Sequence, residues 1–233
     1  MTFDRIAAPL VALLTASFVL SPLASDSFAG FEPTQFPVVA ESWPVQPVGW
    51  AFSIWGVIYL GLGLSAGLGL LRHRTDPAWA AMRGPLALSL AVGTFWIAVA
   101  GVAPVAATAM IVVMAASALA ALGRAPAGLA ARGAVGLYAG WLTAATGVAV
   151  AVVLSGYGLL GAQTAAIVLL GAVLIVALAV FSRQPRAWGY GLGVGWALIG
   201  VIAANLPAAN LPVIALAGLG IVALGAVAWR GRG

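Results

Sequence analysis

Residues 45–71 read VQPVGWAFSIWGVIYLGLGLSAGLGLL. The stretch carries no charge and is long enough as a helix to cross a hydrocarbon layer of about 30 Å. Its first half crowds Trp50, Phe52, Trp55 and Tyr59 into ten residues, with Pro47 just ahead. Its second half is a ladder of small residues: Gly61, Gly63, Ser65, Gly67 and Gly69. Rings in the first half can stack on something flat, and the small residues in the second let another helix come close. Trp55 and Tyr59 are four apart and share one helix face, with Phe52 near it. That stripe can be bundle core or pocket wall, and periodicity does not choose between them.

Similar apolar runs recur through the rest of the chain. Of its 233 residues 64% are hydrophobic and 6% charged, against roughly a quarter charged in a soluble domain. Backbone polar groups in a bilayer must be satisfied inside the spanning structure, which leaves helices or a closed barrel. The runs are rich in Ala, Leu, Val and Gly without period-2 alternation, so the expected fold is an all-α polytopic transmembrane bundle. The expected spans cover about 6–20, 49–71, 85–101, 105–122, 134–154, 160–181, 188–205 and the stretch from Pro212 to Trp229. Two outcomes are open for the first run. It is an uncleaved helix, giving eight spans, or a cleaved signal with Ser27-Phe28-Ala29 as its small-residue site, giving seven.

Charge tests the count. All ten basic residues are Arg, and net charge is +5. With eight spans, Arg5, Arg72, Arg74, Arg83, Arg124, Arg132, Arg183, Arg186, Arg230 and Arg232 all fall on one side. By the positive-inside rule that side, with both termini, is cytoplasmic. This basicity is topological, and no nucleic acid partner is expected. The whole chain, 1–233, reads as one integral membrane domain: a helical bundle over 49–229 and an extracytoplasmic Pro-rich loop over 21–47. The loop holds Asp26, Glu32, Glu41 and Trp43 without a single Arg, and reads as an irregular segment packed over the bundle mouth.

The expected spans two to eight contain no Asp, Glu, Lys, Arg or His. Intramembrane ionisable residues mark proton relays and ion paths, so a proton-coupled pump and an ion channel are disfavoured. Intramembrane hydrolysis lacks its carboxylate, Ser-His or metal set. Cysteine is absent and His73 is the one histidine, so no metal site is expected. The protein reads as non-enzymatic, with no required cofactor.

Trp43, Trp79, Trp188 and Trp229 lie in loops or at span ends, and Trp50 and Trp96 near the outer surface; an interfacial aromatic belt accounts for these. Trp55, Trp141 and Trp196 lie deeper, and suit core packing or a ring-lined pocket for a flat or polycyclic apolar ligand. Gly63 with Gly67, and Gly191 with Gly195, form GxxxG pairs. Close packing within the chain is the expected use, and a homodimer face the alternative. Gln163 and Asn205 need partners, supplied by water or a ligand.

Residues 47–62, PVGWAFSIWGVIYLGL, resemble the opening motif of the TspO/MBR family, the tryptophan-rich sensory proteins related to the mitochondrial translocator protein. They are closest to the longer bacterial branch, which often reads P-x-G-x-x-F-S-I-W-G-x-I-Y. YAGWLTAAT at 138–146 is similar to the family's late Y-x-x-W-x-x-x-A segment, and WALIG at 196–200 to the long branch. Departures accompany these matches. Compact members have five helices against eight here, and space the first two tryptophans by six rather than five. They usually carry Asn where Ala149 stands. Their two matched helices run parallel, whereas charge makes spans two and five antiparallel.

The resemblance implies a helical membrane protein of a bacterial inner membrane that binds a tetrapyrrole (porphyrin or haem) or a lipid-like molecule, for transport or sensing. The candidate pocket residues are Trp50, Phe52, Trp55, Tyr59, Tyr138, Trp141 and Trp196. The competing readings are a small-solute transporter or exporter, and a structural subunit of a membrane complex docked through its Gly faces.

Overall fold

The computed structural model describes residues 2–24, 28–39 and 42–231. Asp26, Ser27, Glu41, Arg232 and the Arg5 side chain lie outside the described residues. Among the described residues, eight helices are long and apolar enough to cross a membrane. They are α1 (Thr2–Leu20), α2 (Ile54–Leu71), α3 (Pro77–Val102), α4 (Pro104–Leu122), α5 (Ala134–Gly156), α6 (Ala162–Arg183), α7 (Trp188–Asn205) and α8 (Leu211–Arg230). A 3₁₀ turn, Gly49–Ser53, leads into α2, and a single π turn, Leu129–Gly133, leads into α5.

Helix α1 is part of the bundle. It packs on α2 and α3, and its Phe18 is 1% exposed. Removing it as a signal would strip Phe18 from the centre of an aromatic cluster. Helix α5 is the hub, touching α2, α4, α6 and α7. Ring contacts pair Phe52 with Trp141 and Trp55 with Tyr138, so α2 and α5 run antiparallel, as the charge pattern requires.

The third helix begins eight residues earlier than the apolar run suggests. Asp76 is its N-cap, accepting from the Ala78 N–H at 2.9 Å, and Pro77 takes the first helical position. That position needs no N–H, which suits proline. The bond from Ala78 holds the Asp76 carboxyl below its usual pKa, helped by His73. Pro85, taken above as the start of the span, lies inside the helix; neighbouring helices let a spanning helix tolerate it.

The same shift overturns the absence of charge in spans two to eight. Arg83 lies on α3 and is 2% exposed. Its guanidinium donates to the carbonyls of Gly69, His73 and Arg74 at 3.2, 2.6 and 2.9 Å. It therefore closes the C-terminal end of α2, where carbonyls lack helical partners.

The glycine expectation is corrected. A Cβ placed on Gly63 or Gly67 would meet nothing within 4 Å, and the same holds for Gly195. A Cβ on Gly191 would meet first the ring of Phe181, a side chain rather than a backbone. The close backbone approach is made by Gly136 and Gly140 of α5 against Gly189 and Gly193 of α7. A Cβ on Gly140 would strike the Tyr190 carbonyl, and one on Gly193 would stand 2.5 Å from the Leu137 carbonyl and 2.7 Å from the Trp141 nitrogen. The contacts advance together along both chains, so α5 and α7 run parallel.

Polar side chains tie the bundle at few points. Ser89 of α3 donates to the Met114 carbonyl of α4 at 2.8 Å, which leaves its oxygen to accept from Tyr138 of α5 at 2.9 Å. Gln163 and Asn210 form a reciprocal amide pair at 3.0 and 2.8 Å. Asn210 also donates to Asn205. Gln163 and Asn205 are thus satisfied by protein rather than by a ligand.

Gly140→Ala should lower the thermal midpoint in detergent by the equivalent of about 1–3 kcal/mol, the usual cost of overpacking. Gly63→Ala, which adds a methyl in open space, should leave it unchanged. Equal effects would mean that α5 and α7 do not touch as described.

Candidate functional site

At the end of the bundle away from the arginine-bearing turns, the segment after α1 folds back as a strap. Phe31, Phe36, Trp43 and Val45 are all buried. Gln35 donates to the carbonyls of Ala100 and Gly101 at 2.9 and 3.0 Å, at the α3–α4 turn. The Val38 N–H bonds to the Gly156 carbonyl at 2.9 Å, at the end of α5. Asn205 of α7 donates to the Pro44 carbonyl at 2.7 Å, and the Val48 N–H bonds to the Gly200 carbonyl at 3.1 Å. Three sides of the mouth are therefore stitched to the strap.

Below it, rings form one continuous chain. Phe36 meets Trp43 and Phe31, Phe31 meets Phe28, and Phe28 meets Trp96 and Phe52. Phe52 meets Trp141, which meets Trp55. Trp55 stacks on Tyr59 at 5.5 Å and 27°, and Phe18 touches Trp55, Tyr59 and Tyr138. All but the Trp55–Tyr59 pair are edge-on or tilted, the arrangement that ring quadrupoles favour.

A cavity lies within this chain of rings, under the strap. Phe28, Phe52, Trp55, Trp96, Trp141 and Gln46 are among its walls, and α5 contributes Ala144, Ala145, Val148 and Ala149. The space open to a water-sized sphere is about 40 Å³, enough for a few waters and far below the ~300–1,000 Å³ of a drug-sized ligand site. Two buried polar atoms on this wall have no hydrogen-bond partner among the described residues: Trp141 Nε1, a donor, and Gln46 Oε1, an acceptor. An unpaired buried polar group costs about 1–3 kcal/mol. Ala149 brings no polar group to this wall, and the strap's Gln46 supplies one.

Of the seven pocket candidates, the cavity brings together Phe52, Trp55 and Trp141. Tyr59 and Tyr138 do not line it; with Phe18 they pack against Trp55, one layer deeper. Trp50 is 50% exposed and packs edge-on against Trp196 at 5.4 Å. Trp196 donates to the Ala51 carbonyl at 2.7 Å, which pins the turn before α2. Neither of these two lines the cavity. The strap's Phe28, Phe31 and Gln46 were not among the candidates, because a Pro-rich loop gives no period from which facing can be read.

The belt assignment fails for three tryptophans. Trp43, Trp79 and Trp96 are buried; Trp96 donates to the Ala107 carbonyl at 2.9 Å, and Trp79 stacks on His73 at 4.5 Å. Trp188 and Trp229 are exposed at helix ends, where a belt would hold them.

Eight spanning helices around an aromatic, strap-covered mouth define a polytopic membrane protein with a small apolar site at one face. The family model described as TSPO-like protein matches residues 13–229, and the chain belongs to that family. No curated protein and no solved structure matches it.

Gln46→Leu removes an unpaired amide from an apolar wall without breaking any side-chain bond. It should raise the thermal midpoint of the ligand-free protein by the equivalent of about 1 kcal/mol. A lower midpoint would show that the amide is satisfied.

Proposed function

We propose that this TSPO-like membrane protein binds a flat apolar or polycyclic molecule, of the tetrapyrrole or lipid-like class, in the aromatic mouth. The observation that carries the reading is a ring-walled cavity holding one unpaired donor and one unpaired acceptor. Ring faces of Phe52, Trp55 and Trp141 would grip the ligand's plane. Trp141 Nε1 would donate to an acceptor on its edge, and Gln46 Oε1 would accept from a donor.

The closed cavity is too small for such a ligand, so binding requires the strap to lift. The bonds from Gln35 and Asn205 hold it down, and both are remade when it closes. Strap opening couples ligand to a change at the membrane face, which suits sensing. Phe18, Tyr59 and Tyr138 fill the level below, which favours binding at one face over passage through the bundle. Nothing in the proposal calls for covalent chemistry or a resident cofactor.

A porphyrin titration of the purified protein, followed by Trp fluorescence and the porphyrin absorption band, should be saturable. The Trp55→Leu/Trp141→Leu variant should lose at least about tenfold in affinity, since stacked rings are worth roughly 1 kcal/mol or more each. Gln35→Ala should speed association while leaving ring contacts intact. Binding that is absent, or unchanged in the double variant, removes the tetrapyrrole reading.

We also infer that the arginine-bearing face is cytoplasmic, in a bacterial inner membrane, from the charge bias of the turns. With no native cysteine, Leu206→Cys, in the α7–α8 turn, should label with an impermeant maleimide added outside cells. Ala127→Cys, in the α4–α5 turn, should label only after permeabilisation. The reverse pattern would invert the topology.

A further inference from the structure

At the opposite end of the molecule from the mouth, the turn after α4, the π turn leading into α5, the α6–α7 link and the end of α8 border an open concavity of about 580 Å³. Arg132, Arg183, Arg186 and Arg230 line it together with Gln184 and Pro185. Gly231 lies close against Pro185, and Gly123 faces the Gln184 amide. No carboxylate is among the lining residues. Glu32 lies on the strap at the other end, and Asp76 caps α3 beside His73.

Most of the donors here are unspent. Arg132 gives Nε and Nη2 to one carbonyl, Ala125, at 3.2 and 2.8 Å. Arg183 gives Nη1 to the Ala179 carbonyl at 3.0 Å. Arg186 and Arg230 make no hydrogen bond among the described residues. A guanidinium carries five N–H donors in a planar fork matched to phosphate. Topology needs arginines at this end, and the C-terminal dipoles of α6 and α8 favour Arg183 and Arg230. Neither reason makes four of them converge: Arg132 sits on a π turn, and Arg186 in a link. Arg124, in the same turn as Arg132, bonds the Ala120 carbonyl and is not part of the lining.

A second concavity, about 750 Å³, runs along α7 between α2 and α8. Gly191, Gly195 and Gly225 line it among apolar side chains such as Val57 and Leu224. No residue lines both concavities, but their linings come within two residues of each other along the chain at three places: Phe181 and Arg183, Trp188 and Arg186, Ala228 and Arg230. From Trp188 to Trp196 the helix rises about 12 Å, enough for much of an acyl chain.

We propose that these two concavities form a binding site for one anionic phospholipid. Its phosphate sits among Arg132, Arg183, Arg186 and Arg230, and an acyl chain lies in the glycine-lined groove. The basic end of the bundle is at headgroup level, and an apolar groove beside it suits a lipid better than a free phosphate. Four cations with no carboxylate among the described lining residues favour net negative charge, so a zwitterionic headgroup, with its own cation, binds poorly. The basic concavity lies at the other end of the bundle from the aromatic mouth, while the groove runs up to Trp196 and Ser53, next in sequence to the mouth's Ala197 and Phe52; the proposal does not rest on the function proposed for the mouth.

The test is binding of phosphatidylglycerol and phosphatidylcholine to the purified full chain in detergent, read by native mass spectrometry with inorganic phosphate as competitor. Phosphatidylglycerol should be retained selectively. The Arg183→Gln/Arg186→Gln/Arg230→Gln variant should bind it about a hundredfold more weakly, at roughly fivefold per arginine. Arg72→Gln/Arg74→Gln, which removes charge at another turn, should bind normally. If the triple variant does not insert, Arg186→Gln alone, which breaks no bond, should cost about fivefold. Equal binding of the two lipids, displacement by equimolar phosphate, or full binding by the arginine variants would each overturn the proposal.

Discussion

The contact on which the rest depends is the glycine-to-backbone approach of α5 and α7. In lipid there is no hydrophobic drive between helices, because the tails are as apolar as the side chains. Association rests on close packing and a few polar contacts. Gly136 and Gly140 on one helix and Gly189 and Gly193 on the other remove every Cβ that would hold the two apart. Helix α5 is thereby fixed along its length, and it touches four other helices. Gly193 also lies against the backbone at Trp141. The packing of α7 therefore positions the indole that walls the cavity.

The mouth shows the opposite economy. Its rings are well packed, yet Trp141 Nε1 and Gln46 Oε1 are left unpaired in an apolar wall. A buried polar atom without a partner works against stability, and a bound molecule that paired both would remove that cost. The strap that covers it is held by side-chain and backbone bonds at several separate points. Each of these is individually modest, and the strap also buries Phe31, Phe36, Trp43 and Val45.

Arginine performs different tasks at one end of the same molecule. Arg83 is buried and satisfies the carbonyls that end α2. Arg124 bonds the carbonyl four residues back along its own helix. Four others surround a concavity with most of their donors unspent. A sequence shows these as one charge pattern, because residue type sets the charge while geometry sets its partner.

By itself, the sequence determined the class: apolar runs of spanning length force helices, since a backbone in lipid must bond within its own segment. Arginine placement determined the alternation, and with it the antiparallel sense of α2 and α5. Phe52, Trp55 and Tyr59 were legible as one stripe, because helical periodicity is a local property; Trp141 was grouped with them by the family resemblance, not by spacing. Tertiary structure alone decided which glycines face a neighbour. GxxxG records spacing on one helix, but a close approach needs a partner whose phase is set elsewhere, so Gly63 and Gly67 face outward while Gly140 and Gly193 meet. It also decided that strap residues Phe28 and Gln46 complete the cavity, that Trp96 and Trp79 are buried, and that Pro85 continues a helix begun at Asp76-Pro77. An irregular chain has no repeat from which facing can be read, and a proline's effect depends on what surrounds it.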